Sequence, residues 1–444
     1  MDARTRRQAL YAGTIGNVVE WYDFVLYGYF ATTIAALFFP KTDPTAALLS
    51  TFAVFAVGFL SRPVGAIIFG RLTDKLGRRQ SLIASVSLIS AATIAMGLLP
   101  SYSAMGVVAP ALLLACRLVQ GIAAGGEYTS ALTYVVEHAP ANKRGRFAGI
   151  AVAGSYGGFV LGSLVCILMT SITTSDQLLS WGWRVPFIAA APLAIVGLYL
   201  RLRVEDSPVF AAMLESGEVE AAPLRQAFKI AKKNMLIMIG WATACSIGYF
   251  LSVTFLISYL TSTRHFTPTQ SLLTGVVTSM VALIVNLLAG PLIDKIGIKR
   301  VGVTSMSIMF LWAIPAFLLF QNVDFIAACL IAAVFAVCLG ANAVITGLAC
   351  VQLFPARVRG TAGALSYNIA YGIFGGTAPF LATWITSTSG GNLLITGIYF
   401  AVICLGGIAA ALGIGSRSYD FLSKENKAFE PVSDTGLDVQ EANA

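Results

Sequence analysis

The sequence has little charge and almost no histidine. Only 11% of its 444 residues are Asp, Glu, Lys or Arg, whereas a soluble domain carries about 25%. Its two histidines, His138 and His265, are far apart in the chain, and none of the seven cysteines forms a CxxC pair. An enzyme embedded in a membrane needs a clustered nucleophile, base or metal-ligand set, which these residues do not provide. We therefore expect no enzymatic activity, no metal and no cofactor.

Long apolar runs dominate the chain instead. Hydrophobic residues make up 57% of it, and its mean hydropathy is +0.79. A helix needs about 20 apolar residues to cross a membrane, and twelve stretches reach this length. They cover residues 10–39, 48–70, 81–100, 106–137, 147–171, 184–203, 234–261, 269–290, 301–320, 326–352, 361–385 and 393–415. The pattern predicts an all-α membrane protein with twelve transmembrane helices and no cleaved signal peptide.

Two short motifs occur twice, in the same order. The decapeptide from Gly70 to Arg79 returns in altered form from Gly290 to Lys299, 220 positions later. The hexapeptide from Pro140 to Gly145 returns from Pro355 to Gly360, at an offset of 215. Parallel repeats of this kind build transporters whose halves rock about a site between them. The repeats therefore predict two related membrane halves.

The polar gaps set the expected domain boundaries. We predict a first six-helix bundle at 1–203, a cytoplasmic linker at 204–233, a second six-helix bundle at 234–415 and a disordered cytoplasmic tail at 416–444. Within the linker, the segment from Leu224 to Lys233 has the pattern of an amphipathic helix lying along the inner membrane face.

Basic residues are distributed unequally between the two faces of the membrane. If the N-terminus is cytoplasmic, 24 of the 29 Lys and Arg lie in gaps on that side, and the opposite face has only Lys41, Arg184 and Arg264. This asymmetry follows the positive-inside rule and predicts both termini in the cytoplasm, in a bacterial plasma (inner) membrane. The net charge of +8 thus orients the protein in the lipid bilayer. We expect no nucleic-acid partner, and a monomer.

Ionisable residues inside spans occur in one half alone. The predicted spans of the second half have no charged residue in their interiors, whereas the first half has Glu20, Asp23, Arg62, Arg117 and Glu127. Each costs about 2.5–3.5 kcal/mol to insert, so each is a functional candidate. With all five ionised the interior has one negative charge in excess. We hypothesise that the coupling ion is a proton on Asp23, Glu20 or Glu127. The alternative is a set of structural ion pairs.

Other polar and aromatic residues of the spans are candidates for contact with a small-molecule substrate. Glu20, Asp23 and Tyr27 share one face of the first span, because Asp23 follows Glu20 by three residues and Tyr27 follows Asp23 by four. The substrate-binding candidates are Arg117, Arg62, Tyr27, Gln120, Trp21, Tyr249, Asn342, Tyr367, Asn368 and Tyr371. For the asparagines, a hydrogen bond to a neighbouring helix is an equally good interpretation.

The repeated decapeptide has the parts of a gate. Its glycines allow a tight turn, its aspartate can lie at a helix N-terminus, and its arginines can reach acids or carbonyls of neighbouring helices. The predicted gating residues are Gly70, Asp74, Gly77, Arg78 and Arg79, with Asp294 in the second copy. Glycines spaced by four, at 121 and 125 and at 154, 158 and 162, predict helix pairs whose backbones approach closely.

Five motifs together resemble a known family. The stretch from Gly70 to Arg79 resembles the signature loop of the major facilitator superfamily, which implies twelve helices, two six-helix bundles and alternating access. Four further stretches resemble the metabolite:proton symporter family, which implies proton symport. They are Gly16–Phe24, Arg62–Gly65, Arg117–Gly121 with Gly125–Tyr128, and Trp181–Phe187.

The resemblance also restricts the substrate. That family includes carriers for proline and betaine, 2-oxoglutarate, citrate and shikimate. The stretches Glu127–Thr129 and Gly197–Arg201 look closest to the proline/betaine type, and Trp21 can offer a ring face to a quaternary ammonium. We expect proton-coupled import of a zwitterionic osmolyte or amino acid such as proline or betaine. The alternative is a symporter of a small carboxylate such as 2-oxoglutarate, citrate or shikimate.

Overall fold

The chain folds into long helices joined by short connections. The computed structural model describes residues 3–40, 43–76, 78–202 and 223–414, and within these ranges it has no strand. The first six segments are α1 (Ala3–Tyr29, continued by Ala31–Phe38), α2 (Pro44–Leu60 and Arg62–Leu76), α3 (Arg78–Leu98), α4 (Val108–Ala124 and Glu127–Glu137), α5 (Arg144–Ile172) and α6 (Ser175–Gln177, Leu178–Gly182, Arg184–Ile188 and Ala190–Leu202). Short helices Tyr102–Met105 and Ala141–Lys143 flank α4.

The second half repeats this order. Its segments are α7 (Lys232–Phe250, Leu251–Phe255 and Leu256–Ser262), α8 (Pro268–Ile296), α9 (Ile298–Phe320), α10 (Phe325–Gln352), α11 (Ala356–Asn368, Ile369–Gly375 and Gly376–Thr388) and α12 (Leu394–Gly413). The helix Pro223–Ile230 precedes α7. The prediction of an all-α protein with twelve membrane helices is confirmed.

Not every span is recognisable by apolar length. In the described part of the chain, nine helices are long and apolar enough to cross a membrane, namely α2, α4–α10 and α12. The other three are α1, which carries two acids, α3, whose apolar part is the shorter Leu82–Leu98, and α11, which begins with a polar turn. Several helices also begin before the predicted spans, because polar residues continue them beyond the apolar core; α1 begins at Ala3.

The predicted linker and tail are described only in part. Residues 203–222 and 415–444 lie outside the described ranges, and so do the domain boundaries predicted there. The helix Pro223–Ile230 has the predicted amphipathic pattern and packs against α11. Its Ala227 is buried, whereas Phe228 and Lys229 are exposed.

Glycines let α2 and α4 touch along their backbones. A Cβ on Gly121 would lie 1.7 Å from the carbonyl oxygen of Gly58, and one on Gly125 would lie 2.2 Å from that of Arg62. In the same way α5 contacts α1, where a Cβ on Gly158 would lie 2.4 Å from the oxygen of Val18. The predicted close approach of both helix pairs is confirmed. It fixes the arginine of α2 against the middle of α4.

Two helices of the second half contain π-helical turns where they meet the first half. These turns are Leu251–Phe255 in α7 and Ile369–Gly375 in α11. A Cβ on Gly372 would lie 2.5 Å from the carbonyl oxygen of Phe59 in α2, so the two halves are in backbone contact at this level. Such turns disturb regular side-chain spacing and are frequent at functional sites.

Candidate functional site

Aromatic side chains from both halves meet around Trp21 at the centre of the molecule. The ring centroid of Trp21 lies 5.1 Å from that of Phe159, 5.7 Å from Tyr128, 6.3 Å from Tyr371 and 6.4 Å from Tyr249. All five side chains are buried. We call these five residues the aromatic cluster. It joins α1, α4 and α5 to α7 and α11, so separation of the halves must open it.

The guanidinium of Arg62 lies beside the aromatic cluster. Its Nη2 donates to Glu20 Oε1 at 2.9 Å, and both side chains are fully buried. Its Cζ lies 5.9 Å from the ring centroid of Trp21 and 5.1 Å from that of Phe24. Its Nη1 has no hydrogen-bond partner among the described residues. Arg62 therefore offers one free, buried donor next to ring faces.

Asn368 connects this arginine to the other half. Its Oδ1 accepts from Arg62 Nε at 3.1 Å, and its Nδ2 donates to the carbonyl oxygens of Gly125 at 2.5 Å and Ala364 at 2.8 Å. Asn368 is on α11, whereas Arg62 and Gly125 are on α2 and α4. Asn368 therefore bridges helices of the two halves, and it does so beside the candidate substrate-binding residue Arg62. Any ligand that takes up the donors of Arg62 must compete with it.

A second buried group surrounds Asp23. The Thr93 hydroxyl interacts with the carboxylate of Asp23, and Arg117 and Glu127 lie nearby, but within the described ranges neither carboxyl oxygen accepts a hydrogen bond of ordinary length. Arg117 Nη1 donates to Gln120 Oε1 at 3.0 Å, and Gln120 Nε2 donates to Thr93 at 2.6 Å. These contacts hold Arg117 without neutralising it.

Aromatic and hydroxyl groups complete this second site. The guanidinium Cζ of Arg117 lies 3.8 Å from the ring centroid of Tyr27, whose hydroxyl donates to the carbonyl oxygen of Thr51 at 2.9 Å. Glu127 accepts from Ser85 at 2.7 Å. The five charged residues predicted inside the spans therefore form two groups. The first is the neutral pair of Glu20 with Arg62, and the second has two acids and one arginine.

Polar contacts between the halves close one end of the molecule. Asp294, at the end of α8, accepts from the backbone N–H groups of Gly145 at 2.7 Å and Arg146 at 2.9 Å. These donors are at the N-terminus of α5, where the helix dipole favours an anion. Glu137 pairs with Arg359 at 3.1 Å, and both side chains are about 2% exposed. We call this region the closed end.

The predicted site residues do not all lie in these groups. Asn342 is on α10 and accepts from Ser305 of α9, so it bridges two helices of the second half. Tyr367 stacks on Tyr371 with ring centroids 4.2 Å apart and so lies beside the aromatic cluster. Of the first gating motif, Gly77 lies outside the described residues, and the structure describes only the helical backbone of Gly70, Asp74, Arg78 and Arg79.

Sequence reasoning missed several partners. Phe159 and Tyr128 were not among the candidates, and the ion pair of Glu137 with Arg359 was not predicted. A signal existed for Phe159, because it follows Gly158 on the face of α5 that packs on α1. Glu137 and Arg359 each lie near a repeated motif, but their pairing joins positions 222 residues apart.

The sequence matches the Major Facilitator Superfamily over residues 23–379. The chain belongs to this superfamily. Its curated relatives include the proline/betaine transporters of Salmonella typhimurium and Escherichia coli, each 34% identical over 453 residues that cover 100% of this chain and 88% of the relative. A glycine betaine/proline/ectoine/pipecolic acid transporter of Dickeya dadantii is also 34% identical, over 452 residues with the same coverage.

Solved structures of the superfamily share the fold. A proton:xylose symporter bound to 6-bromo-6-deoxy-D-glucose superposes with a TM-score of 0.76 over 96% of this chain and 100% of its own, at 17% identity. A partially occluded, inward-open xylose transporter from Escherichia coli gives 0.71, over 92% and 97%, at 18% identity. This member of the superfamily is therefore a multi-pass membrane transporter of small solutes and not an enzyme.

Proposed function

We propose that this protein imports a small zwitterionic solute such as proline or betaine, together with protons, by alternating access. The observation that carries the proposal is the position of Arg62 beside the aromatic cluster. The names of the 34%-identical relatives support the same substrate class.

The two ends of such a solute need different partners. Ring faces attract a quaternary or secondary ammonium and leave it without competing hydrogen bonds, as in aromatic cages for choline-like groups. A guanidinium binds the carboxylate, and the unpaired Nη1 of Arg62 is available for that bond. Trp21, Tyr249 and Tyr371 supply rings from both halves, so bound solute would stabilise the state in which the halves meet around it.

The proton belongs with the second group of charges. Two acids and one arginine leave one negative charge in excess, and burying an unpaired charge is costly. Neither carboxyl oxygen of Asp23 accepts a hydrogen bond of ordinary length within the described ranges, so few existing bonds oppose a proton on this acid. Glu127 shares the group, whereas Glu20 is paired with Arg62. We therefore rank Asp23 before Glu127 and Glu20 as the coupling site.

Gating completes the proposed cycle. Release of Asp294 from the N-terminus of α5, and of Glu137 from Arg359, would open the closed end. The first copy of the gating motif, with Asp74, would act in the same way at its own position. By the positive-inside rule the closed end and both termini face the cytoplasm of a bacterial cell, and we propose that the protein works as a monomer in the inner membrane.

The experiment is uptake by proteoliposomes of labelled proline, betaine, 2-oxoglutarate and citrate, with and without an inward proton gradient. We expect gradient-dependent accumulation of proline or betaine. Trp21→Ala should raise the apparent KM about tenfold, the value of a buried cation–π contact. The matched control is Trp384→Ala, since Trp384 is 52% exposed on α11 and should tolerate the change.

Each other outcome is informative. Accumulation of 2-oxoglutarate or citrate alone would favour the carboxylate alternative, with Arg117 as the second cation. Uptake of betaine that ignores the gradient would contradict proton coupling. If none of the four solutes is taken up by folded protein, the proposed substrate class is wrong.

A further inference from the structure

A cleft separates the two halves at the end opposite the closed end. It lies beyond the start of α8, whereas Asp294 is near the end of that 29-residue helix, about 40 Å away at 1.5 Å per residue. Its volume is about 440 Å³. The walls come from the start of α2 in the first half and the ends of α7 and α11 in the second. We call this space the outer cleft.

Most of the residues that line the outer cleft carry a hydroxyl group, although apolar atoms make up more of its surface. The hydroxyl groups come from residues such as Thr45, Ser258, Tyr259, Ser262, Thr383 and Thr386, and none of the lining residues within the described ranges is charged. The buried Oγ1 of Thr383 has no hydrogen-bond partner there. The Tyr259 hydroxyl donates to the carbonyl oxygen of Gly391 at 3.3 Å, a long bond that a ligand can replace. These walls suit a small polar solute.

Two residues of opposite charge lie next to the lining residues in the chain, one in each half. Asp43 immediately precedes the lining residues of α2, and its Oδ1 accepts from the backbone N–H groups of Thr45 at 2.9 Å and Ala46 at 3.1 Å. Arg264 follows the lining residues of α7 and lies near Tyr259. Its Nε has no hydrogen-bond partner among the described residues. The first half thus presents an acid, and the second half a cation.

We propose that the outer cleft is a separate, weak binding site for the zwitterionic solute on its way to the aromatic cluster. The carboxylate end is directed to Arg264, the ammonium end to Asp43, and the wall hydroxyls replace water around the solute. This inference rests on the proposed function. A dicarboxylate would meet only one cation and would be repelled by Asp43, so the cleft also selects against it.

Cysteine labelling tests binding at the cleft itself. Thr383→Cys is reacted with a membrane-impermeant maleimide, in a chain whose aromatic cluster is weakened by Trp21→Ala. We expect betaine to slow this labelling, citrate to leave it unchanged, and Arg264→Gln to abolish the protection by betaine. Protein without Thr383→Cys controls for the native cysteines, of which Cys116 and Cys329 are only partly buried.

Protection that is absent, or that survives Arg264→Gln unchanged, would overturn the proposal. Equal protection by citrate would overturn the assignment to a zwitterion. The labelling is repeated in proteins with an intact aromatic cluster. If betaine protects the cysteine there but is not taken up, the outer cleft binds a solute that the transporter does not carry. That result would support the outer cleft and contradict the proposed function.

Uptake kinetics give an independent readout. Arg264→Gln and Asp43→Asn should each lower uptake at subsaturating betaine about two- to fivefold, as expected for an exposed ion pair, and leave the maximal rate unchanged. The effect should shrink at high salt. Lys229→Gln, an exposed cation on the helix that precedes α7, is the matched control. If the wild-type protein takes up betaine normally and the Arg264 and Asp43 variants take it up equally well, the outer cleft is not a binding site. The proposed function would then still stand.

Discussion

Asp23 differs from the other buried acids because neither of its carboxyl oxygens accepts a hydrogen bond of ordinary length in the described part of the chain. Glu20 is paired with Arg62, and Glu127 accepts from Ser85. The five charged side chains that the sequence predicts inside the spans thus form two groups in the structure. One is the neutral pair of Glu20 and Arg62, and the other has one negative charge in excess. On this division we propose that substrate binding and proton coupling use different residues.

Asp23→Asn should abolish proton-driven accumulation and spare exchange of solute across the membrane. Asparagine keeps the shape of the side chain but cannot carry the proton. The measurement compares gradient-driven uptake with counterflow in the same proteoliposomes. Asp324→Asn is the control, since Asp324 caps α10 and asparagine caps helices equally well. Full accumulation by a folded Asp23→Asn protein would remove this residue from the coupling role.

Arg62→Lys should raise the apparent KM for the solute about tenfold, because an ammonium cannot donate to Glu20, Asn368 and a carboxylate with the geometry of a guanidinium. The measurement is the concentration dependence of uptake. Arg184→Lys is the control, since Arg184 donates only to the carbonyl oxygens of Gly97 and Leu99 in the described structure. An unchanged KM would exclude Arg62 as the carboxylate partner.

Among the helices, α5 and α8 form the interface on which rocking depends. A Cβ on Gly290 would lie 2.5 Å from the carbonyl oxygen of Gly145, and one on Gly149 would lie 2.5 Å from that of Asn286. The helices therefore meet backbone to backbone next to the bonds of Asp294. Small residues here allow the closed end to form.

Gly290→Ala should prevent the closed end from forming and favour the state that is open there. The added methyl group has no flexible neighbour to displace, because it meets backbone atoms of α5. Uptake should fall at least tenfold, and a cysteine at the closed end should react faster with a maleimide. Gly360→Ala is the control, since no atom lies within 4 Å of its added Cβ. Equal uptake by both variants would contradict this role of the interface.

The whole molecule has one end tied by polar contacts between its halves and one end with a cleft. The positive-inside rule predicts that the closed end faces the cytoplasm, and we propose on that basis that the cleft opens to the outside. A transporter in this state receives solute from outside and keeps the path to the cytoplasm shut.

Orientation is tested with single cysteines in intact cells. Thr263→Cys, beside the outer cleft, should react with an impermeant maleimide, whereas Lys299→Cys should react only after permeabilisation. Both positions are exposed, so access and not burial decides the result. The reverse labelling pattern would mean that the protein is inserted the other way and that the proposed direction of transport is wrong.

How much the sequence predicts depends on whether a property is local. The existence of the helices follows from runs of apolar residues, and the close approach of α5 to α1 follows from glycines spaced by four. For α1, α3 and α11, however, length and apolar composition alone do not identify a membrane span. For Asn342 the sequence left two interpretations open, and only the structure shows that it bonds Ser305 of the neighbouring helix whereas Asn368 bonds Arg62 at the central site.

The sequence by itself determined the twelve membrane helices, the superfamily and the five charged residues inside the spans of the first half, since hydropathy and motifs are read along the chain. Only the tertiary structure decided that Glu20 pairs with Arg62 and Asp23 does not, and that Trp21 meets rings from four other helices. The reason is physical. An aromatic residue is equally apolar toward lipid or toward a neighbouring helix, so the packing of helices distant in sequence decides which faces turn inward.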